Sequence, residues 1–119
     1  MSKRIKHFGR SLRRAGKGLA LVWRTESNFR WEIVIAMIVI AAMLYWQVTL
    51  KEAIILILII TLVLILEIIN SVLERVMDIL KPKISAYVAV LKDMMAATVL
   101  LASICAIIIG LFIFLPYIF

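Results

Sequence analysis

Glu67, Asn70, Glu74 and Asp78 follow one another at spacings of 3, 4 and 4 in a strongly apolar stretch of a 119-residue chain. At 100° per residue, a helix places them within a wedge of roughly 80°, so one polar stripe faces one direction. Carboxylates on such a stripe can take a proton from a hydroxyl group or help hold Mg²⁺, which accepts one or two carboxylates together with substrate phosphates. An ionisable side chain within an apolar span costs about 2.5 to 3.5 kcal/mol, so Glu67 is read as functional. For Glu74 and Asp78 the spacing leaves two readings open: ligands, or carboxylates that are solvated or paired with Arg75, Lys81 or Lys83.

Two further groups carry polar chemistry. Glu26, Asn28, Arg30 and Glu32 crowd a short run before the first apolar stretch, and Lys92 and Asp93 stand side by side before the last. Basic residues beside carboxylates can neutralise the charge of a transferring phosphoryl group.

The elements that position these residues follow from composition. The chain is 66% hydrophobic but only 9% aromatic, where soluble domains are roughly half apolar. Its excess lies in 33–46, 53–69 and 94–119, and the first reaches spanning length only if Trp31 and Leu50 are included. A spanning helix needs about 20 residues. The expected fold is therefore an all-α membrane protein of one domain, 1–119, with a surface helix over about 3–25 and spans over 31–50, 52–80 and 86–115. No cleavage motif follows the first apolar segment, which is read as a permanent span. The second span is expected to continue past the membrane edge as far as the break at Lys81 and Pro82.

Nine of the fourteen basic residues precede Trp31, and four more (Arg75, Lys81, Lys83 and Lys92) surround the second connection. The positive-inside rule then places the N-terminus and that connection in the cytoplasm. On this topology six of the seven acids gather at or near the inner face, and Glu52 alone lies outside. Counted from Ala53 at about 1.5 Å per residue, Glu67 lies roughly 21 Å into a layer of about 30 Å, at the depth of a lipid glycerol or headgroup. Glu74, roughly 10 Å further on, reaches the depth of water-soluble ligands.

In the N-terminal segment Ile5, Phe8, Leu12, Ala15, Leu19, Val22 and Trp23 share one helical face, opposite Lys3, Lys6, Arg10, Arg13, Arg14, Lys17 and Arg24. Such a helix lies in the membrane interface, and its basic face serves either plain anchoring or attraction of nucleotide phosphates. Headgroup attraction accounts for the net charge of +7 without nucleic acid. Gly16, Lys17 and Gly18 do not form a phosphate loop, because the spacing from Gly9 is wrong and no Ser or Thr follows the lysine. Cys105 reads as packing. Ala102, Ala106 and Gly110 form a small-residue stripe that lets helices approach closely, within the chain or between subunits. Three short spans enclose little volume, so a complete site is expected to need more than one copy.

With these residues set out, the chain resembles the small bacterial membrane diacylglycerol kinase family, which includes undecaprenol kinases. The resemblance runs from about Phe8 to about Gly110 and rests on Glu-Ser-Asn-Phe-Arg at 26–30 with Glu32, on Glu-Ile-Ile-Asn-Ser at 67–71 with Glu74 and Asp78, and on Lys92 and Asp93 before a small-residue run. It implies a multi-pass protein of the bacterial cell membrane, a homotrimer with composite sites at the cytoplasmic interface that uses MgATP to phosphorylate a lipid hydroxyl. Carried over, Glu67 looks like the general base, Glu26 and Glu74 like the ligands of Mg²⁺ and hence of ATP, and Lys92 and Asp93 like nucleotide contacts. Arg14 stands at the nucleotide site where the family has an aromatic residue. Asn70, Asn28, Phe29, Arg30, Glu32 and Asp78 take supporting or substrate-side roles by the same resemblance. The connection at 81–85 departs from the family in lacking the acidic and histidine residues that some members place near the adenine.

Two other classes compete. A proton-coupled carrier would place its ionisable residue near the midplane, open to both sides, whereas the acids here sit toward one face. An accessory membrane subunit would leave Glu67 without a purpose. Apolar grooves for two acyl chains or for one polyprenyl chain use the same Leu, Ile and Val, so diacylglycerol and undecaprenol stay open as substrates.

Overall fold

The computed structural model describes residues 2–119, apart from the side chains of 81–85. The expected break at Lys81 and Pro82, and the departure from the family at 81–85, lie outside the described residues. Among the described residues three helices follow in order: α1 (Ser2–Thr25), α2 (Ser27–Trp46) and α3 (Leu50–Ile118).

α1 is the basic amphipathic helix. Of its side chains only Val22 is buried, so its apolar stripe is left free for lipid. It ends at Thr25, whose hydroxyl donates back to the Leu21 carbonyl at 2.8 Å. Glu26 alone separates it from α2, in extended backbone with φ −114° and ψ 105°. The corner is tight because the Glu26 amide still donates to the Val22 carbonyl, at 2.8 Å.

α2 buries Phe29, Ala36 and Met43, seven residues apart and so on nearly one helical face. It stops at Gln47, which adopts the left-handed conformation with φ 50° and directs its amide to the Met43 carbonyl. Two residues later α3 starts with a reciprocal cap. The Glu52 amide donates to Thr49 Oγ1 at 3.2 Å, and the Thr49 amide donates to Glu52 Oε1 at 3.0 Å. The Thr-x-x-Glu pattern at 49–52 is the sequence signature of this arrangement.

Sixty-nine residues of helix at about 1.5 Å each would extend roughly 100 Å, yet the molecule measures at most 55 Å. α3 therefore folds back as two arms, Leu50–Leu80 and Ala86–Ile118, each long and apolar enough to span a membrane. With α2 (Ser27–Trp46) they make three such helices among the described residues, the all-α membrane architecture expected from hydropathy. Both ends of the hairpin are tied: Tyr117 donates its hydroxyl to Glu52 Oε1, and Lys92 reaches Asp78 at 2.8 Å.

A core of Met43, Leu56 and Ile113, with Val39, Val48 and Phe114 against it, closes the Tyr117 end. The Trp46 and Phe114 rings meet there at a tilt of 52°, with centroids 5.8 Å apart. Large apolar side chains such as Leu44 and Phe112 point outward and are about three-quarters exposed, an arrangement for lipid or neighbouring helices rather than water.

Thr49→Ala removes the α3 cap, which at an N-cap typically contributes about 1 kcal/mol. The variant is expected to unfold several degrees below the parent in a thermal scan in detergent, and Thr49→Ser to stay close to the parent.

Candidate functional site

The buried stripe of the first α3 arm runs Leu56, Ile59, Val63, Glu67, Ser71. Its spacing of three and four is that of a helix face turned inward, and the apolar series simply continues as two polar side chains. Glu67 is 4% exposed and Ser71 2%. Buried polar groups require partners, and here they come from α2 and from the corner before it.

Ser71 donates its hydroxyl to Glu26 Oε1 at 2.7 Å, across 45 residues of sequence. Arg75, one turn further on, donates to Thr25 Oγ1 at 2.7 Å and lies 3.8 Å from the same Glu26 oxygen. Thr25 can accept because its own proton goes to Leu21. Arg30 secures the other side of the corner, with Nη1 donating to the carbonyls of Trp23 at 2.8 Å and Arg24 at 3.1 Å. Those carbonyls belong to the last turn of α1, where backbone acceptors lack helical partners. Phe29, 4% exposed, wedges the first turn of α2 against the rest.

Around Glu67 the acids converge. The Glu32 and Glu67 side chains face each other within hydrogen-bonding reach, and the charges of Glu26 and Glu74 also act on Glu67. Glu32 Oε2 is buried without a hydrogen-bond partner. Glu74 accepts a long bond from Asn70 Nδ2, at 3.4 Å. Glu32 also lines one end of an apolar groove of about 410 Å³ between α2 and both α3 arms, whose walls include Val39, Leu56, Ile59, Ile107 and Phe114. An apolar groove with a carboxyl group at its lining suits an amphiphile whose polar head carries a hydroxyl.

The sequence-selected residues thus fall into three sets. Glu26, Glu32, Glu67, Asn70 and Glu74 come together, with Phe29 and Arg30 as their support. Asp78 and Lys92 pair between the two α3 arms, with the charge of Glu74 also acting on Lys92; Lys81 and Lys83, which spacing also offered to Asp78, lie outside the described side chains. Arg14, Asn28 and Asp93 are exposed, and no hydrogen bond or ion pair ties them to the acids among the described residues. Arg14 lies about three turns back along α1 from Glu26.

Sequence reasoning missed Ser71, Thr25 and Arg75 as parts of the site. Ser71 carried a signal, since it stands one turn beyond Glu67 on the same face. Among the described residues, no three His, Cys, Asp or Glu side chains are grouped to hold a metal ion. Glu26 and Glu74 could contribute to a Mg²⁺ site only where substrate phosphates and water complete it.

Residues 13–114 match the prokaryotic diacylglycerol kinase family. The chain is similar to the undecaprenol kinase of Bacillus subtilis, with 30% identity over 112 residues that cover 94% of this chain and 91% of the relative. It is similar as well to the diacylglycerol kinase of Escherichia coli K12, with 33% identity over 111 residues and 91% of each chain covered. The diacylglycerol kinase of Shigella flexneri matches to the same extent, 33% over 111 residues.

Arg30→Ala leaves the Trp23 and Arg24 carbonyls without their donor. Amide hydrogen exchange over 22–28 is expected to speed up several-fold in this variant, while exchange over the first α3 arm stays as in the parent.

Proposed function

Since the chain belongs to the prokaryotic diacylglycerol kinase family and is a lipid kinase, we propose that Glu67 is the general base of a phosphoryl transfer from ATP to a membrane lipid hydroxyl. The observation that carries this reading is the position of Glu67, buried where an apolar helix stripe turns polar, beside Glu32 and under the charges of Glu26 and Glu74. ATP-dependent transfer is what the family implies, and the carrier reading has no support from it.

In the proposed reaction the lipid lies with its chain along the apolar groove and its hydroxyl at the Glu32 and Glu67 end. Glu67 takes the hydroxyl proton as that oxygen bonds to the γ-phosphorus, and the bond to the β-phosphate oxygen breaks. The products are a phosphorylated lipid and ADP. Glu26 and Glu74 would hold Mg²⁺, which when bound screens the charge of the β- and γ-phosphates. Glu32 orients the lipid head, and Asn70 holds the Glu74 carboxylate.

Lys92, Asp93 and Arg14 are the proposed nucleotide contacts. Within one chain, Lys92 is paired with Asp78, while Asp93 and Arg14 are exposed and make no hydrogen bond or ion pair to the acids among the described residues, which favours a site completed by a second copy. A homotrimer meets that need, while the small-residue stripe of the second arm faces inward, with Ala102 buried and Ala106 and Gly110 lining the groove. The basic α1 and the Glu67 end face the cytoplasm of a bacterial cell, where both ATP and anionic headgroups are found.

Purified protein in mixed micelles is expected to transfer phosphate from ATP to at least one of diacylglycerol, undecaprenol and ceramide, and no transfer to any of them refutes the reading. Glu67→Gln is expected to lower kcat by at least about a hundredfold with ATP affinity nearly unchanged, as loss of a general base does. Glu74→Gln should instead raise the KM for MgATP. A Glu67→Gln variant as active as the parent would exclude Glu67 as the base.

A further inference from the structure

Glu26 occupies an N-cap position, yet its side chain makes no capping bond to α2. Short side chains such as Ser, Thr, Asp and Asn are preferred there, so a glutamate whose carboxylate turns away from its own helix is placed for another purpose. The carboxylate points to α3, where the two oxygens are treated unequally. Oε1 accepts from Ser71 at 2.7 Å and has the Arg75 guanidinium at 3.8 Å. Oε2 takes no hydrogen bond from any described residue.

We infer that Ser71 and Arg75 are positioning residues, which hold Glu26 by one carboxylate oxygen and the backbone before it so that the other oxygen is presented to a divalent cation. The inference rests on Glu26 as a metal ligand and adds how that ligand is held. Ser71, 2% exposed, has a hydroxyl fixed in place by its surroundings, and the proton it donates goes to the anchored oxygen. Arg75 acts one residue earlier: by donating to Thr25 Oγ1 at 2.7 Å it ties the end of α1 to the same face of α3. A glutamate at a one-residue corner would otherwise be free to swing through several rotamers, and each ligand that is fixed beforehand spares the metal the cost of ordering it.

Binding of Mn²⁺, in the presence of a non-hydrolysable ATP analogue, reads this directly from the electron spin resonance signal of the free ion, with the full-length protein in lipid micelles. Ser71→Ala is expected to weaken Mn²⁺ binding about tenfold, the scale of a lost hydrogen bond to a charged group. Arg75→Gln should weaken it about threefold, in keeping with the smaller effect of a partly exposed contact. In a Glu26→Gln background, Ser71→Ala should bring no further loss, because it acts through Glu26. Additional loss in that background would mean a general structural role and overturn the inference. Parent-like Mn²⁺ binding by both Ser71→Ala and Arg75→Gln, with Glu26→Gln impaired, overturns the inference alone. Parent-like binding by Glu26→Gln overturns the ligand assignment beneath it. Should Ser71→Ala fail to fold, Arg75→Gln at its exposed position decides, and parent-like binding by it is then the refuting result.

Discussion

A carboxylate held inside an apolar helix face is the constraint on which this structure turns. Glu67 occupies the place that Leu56, Ile59 and Val63 prepare for another aliphatic side chain. In lipid no water reaches such a position to solvate the charge, so the surrounding helices have to supply polar groups. That requirement explains why the residues around it are polar despite their burial: Ser71 one turn beyond, Glu32 across on α2, and Glu26 at the corner. A monomer with so few buried side chains gains little from packing alone, and the polar contacts give the helices a definite register.

The α1–α2 corner is where the two environments of the protein meet. α1 is a surface helix rich in positive charge, α2 a lipid-embedded one, and a single extended residue joins them. Two arginines close the corner in complementary ways, Arg30 on backbone carbonyls of α1 and Arg75 on a hydroxyl of α1 from α3. Guanidinium groups suit the position, since they offer several donors in a fixed plane and are less strongly hydrated than an ammonium group. The outcome is a half-buried carboxylate, Glu26, at the corner, and a fully buried one, Glu67, further along α3.

Much of this was legible in the residues themselves. Hydropathy located the spans, because exclusion of water from the bilayer imposes a long apolar run on any helix that crosses it. The basic face of α1 followed from its period, and the gathering of Glu67, Asn70 and Glu74 from spacings of three and four. Contacts between distant segments were another matter. Nothing local in Ser71 points to Glu26, in Lys92 to Asp78, or in Tyr117 to Glu52, because these pairings depend on how the arms of α3 cross α2. The cap at Thr49 and Glu52 carries a pattern that sequence reasoning missed, and the sharp turn at Gln47 carries none, as glutamine has no special preference for positive φ.

The bond between Tyr117 and Glu52 sets an order on biogenesis. Chains emerge N-terminal end first, so α1, α2 and the first arm of α3 exist while the last span is still being made. Glu26 can meet Ser71 at that stage, whereas Glu52 waits for a partner 65 residues further along. The acid-bearing half can thus assemble during synthesis, and the hairpin is fastened at Glu52 only once Tyr117 has been made. A nascent chain stalled before Tyr117 would already hold its Glu26 and Ser71 contact while the opposite end of the hairpin stood open.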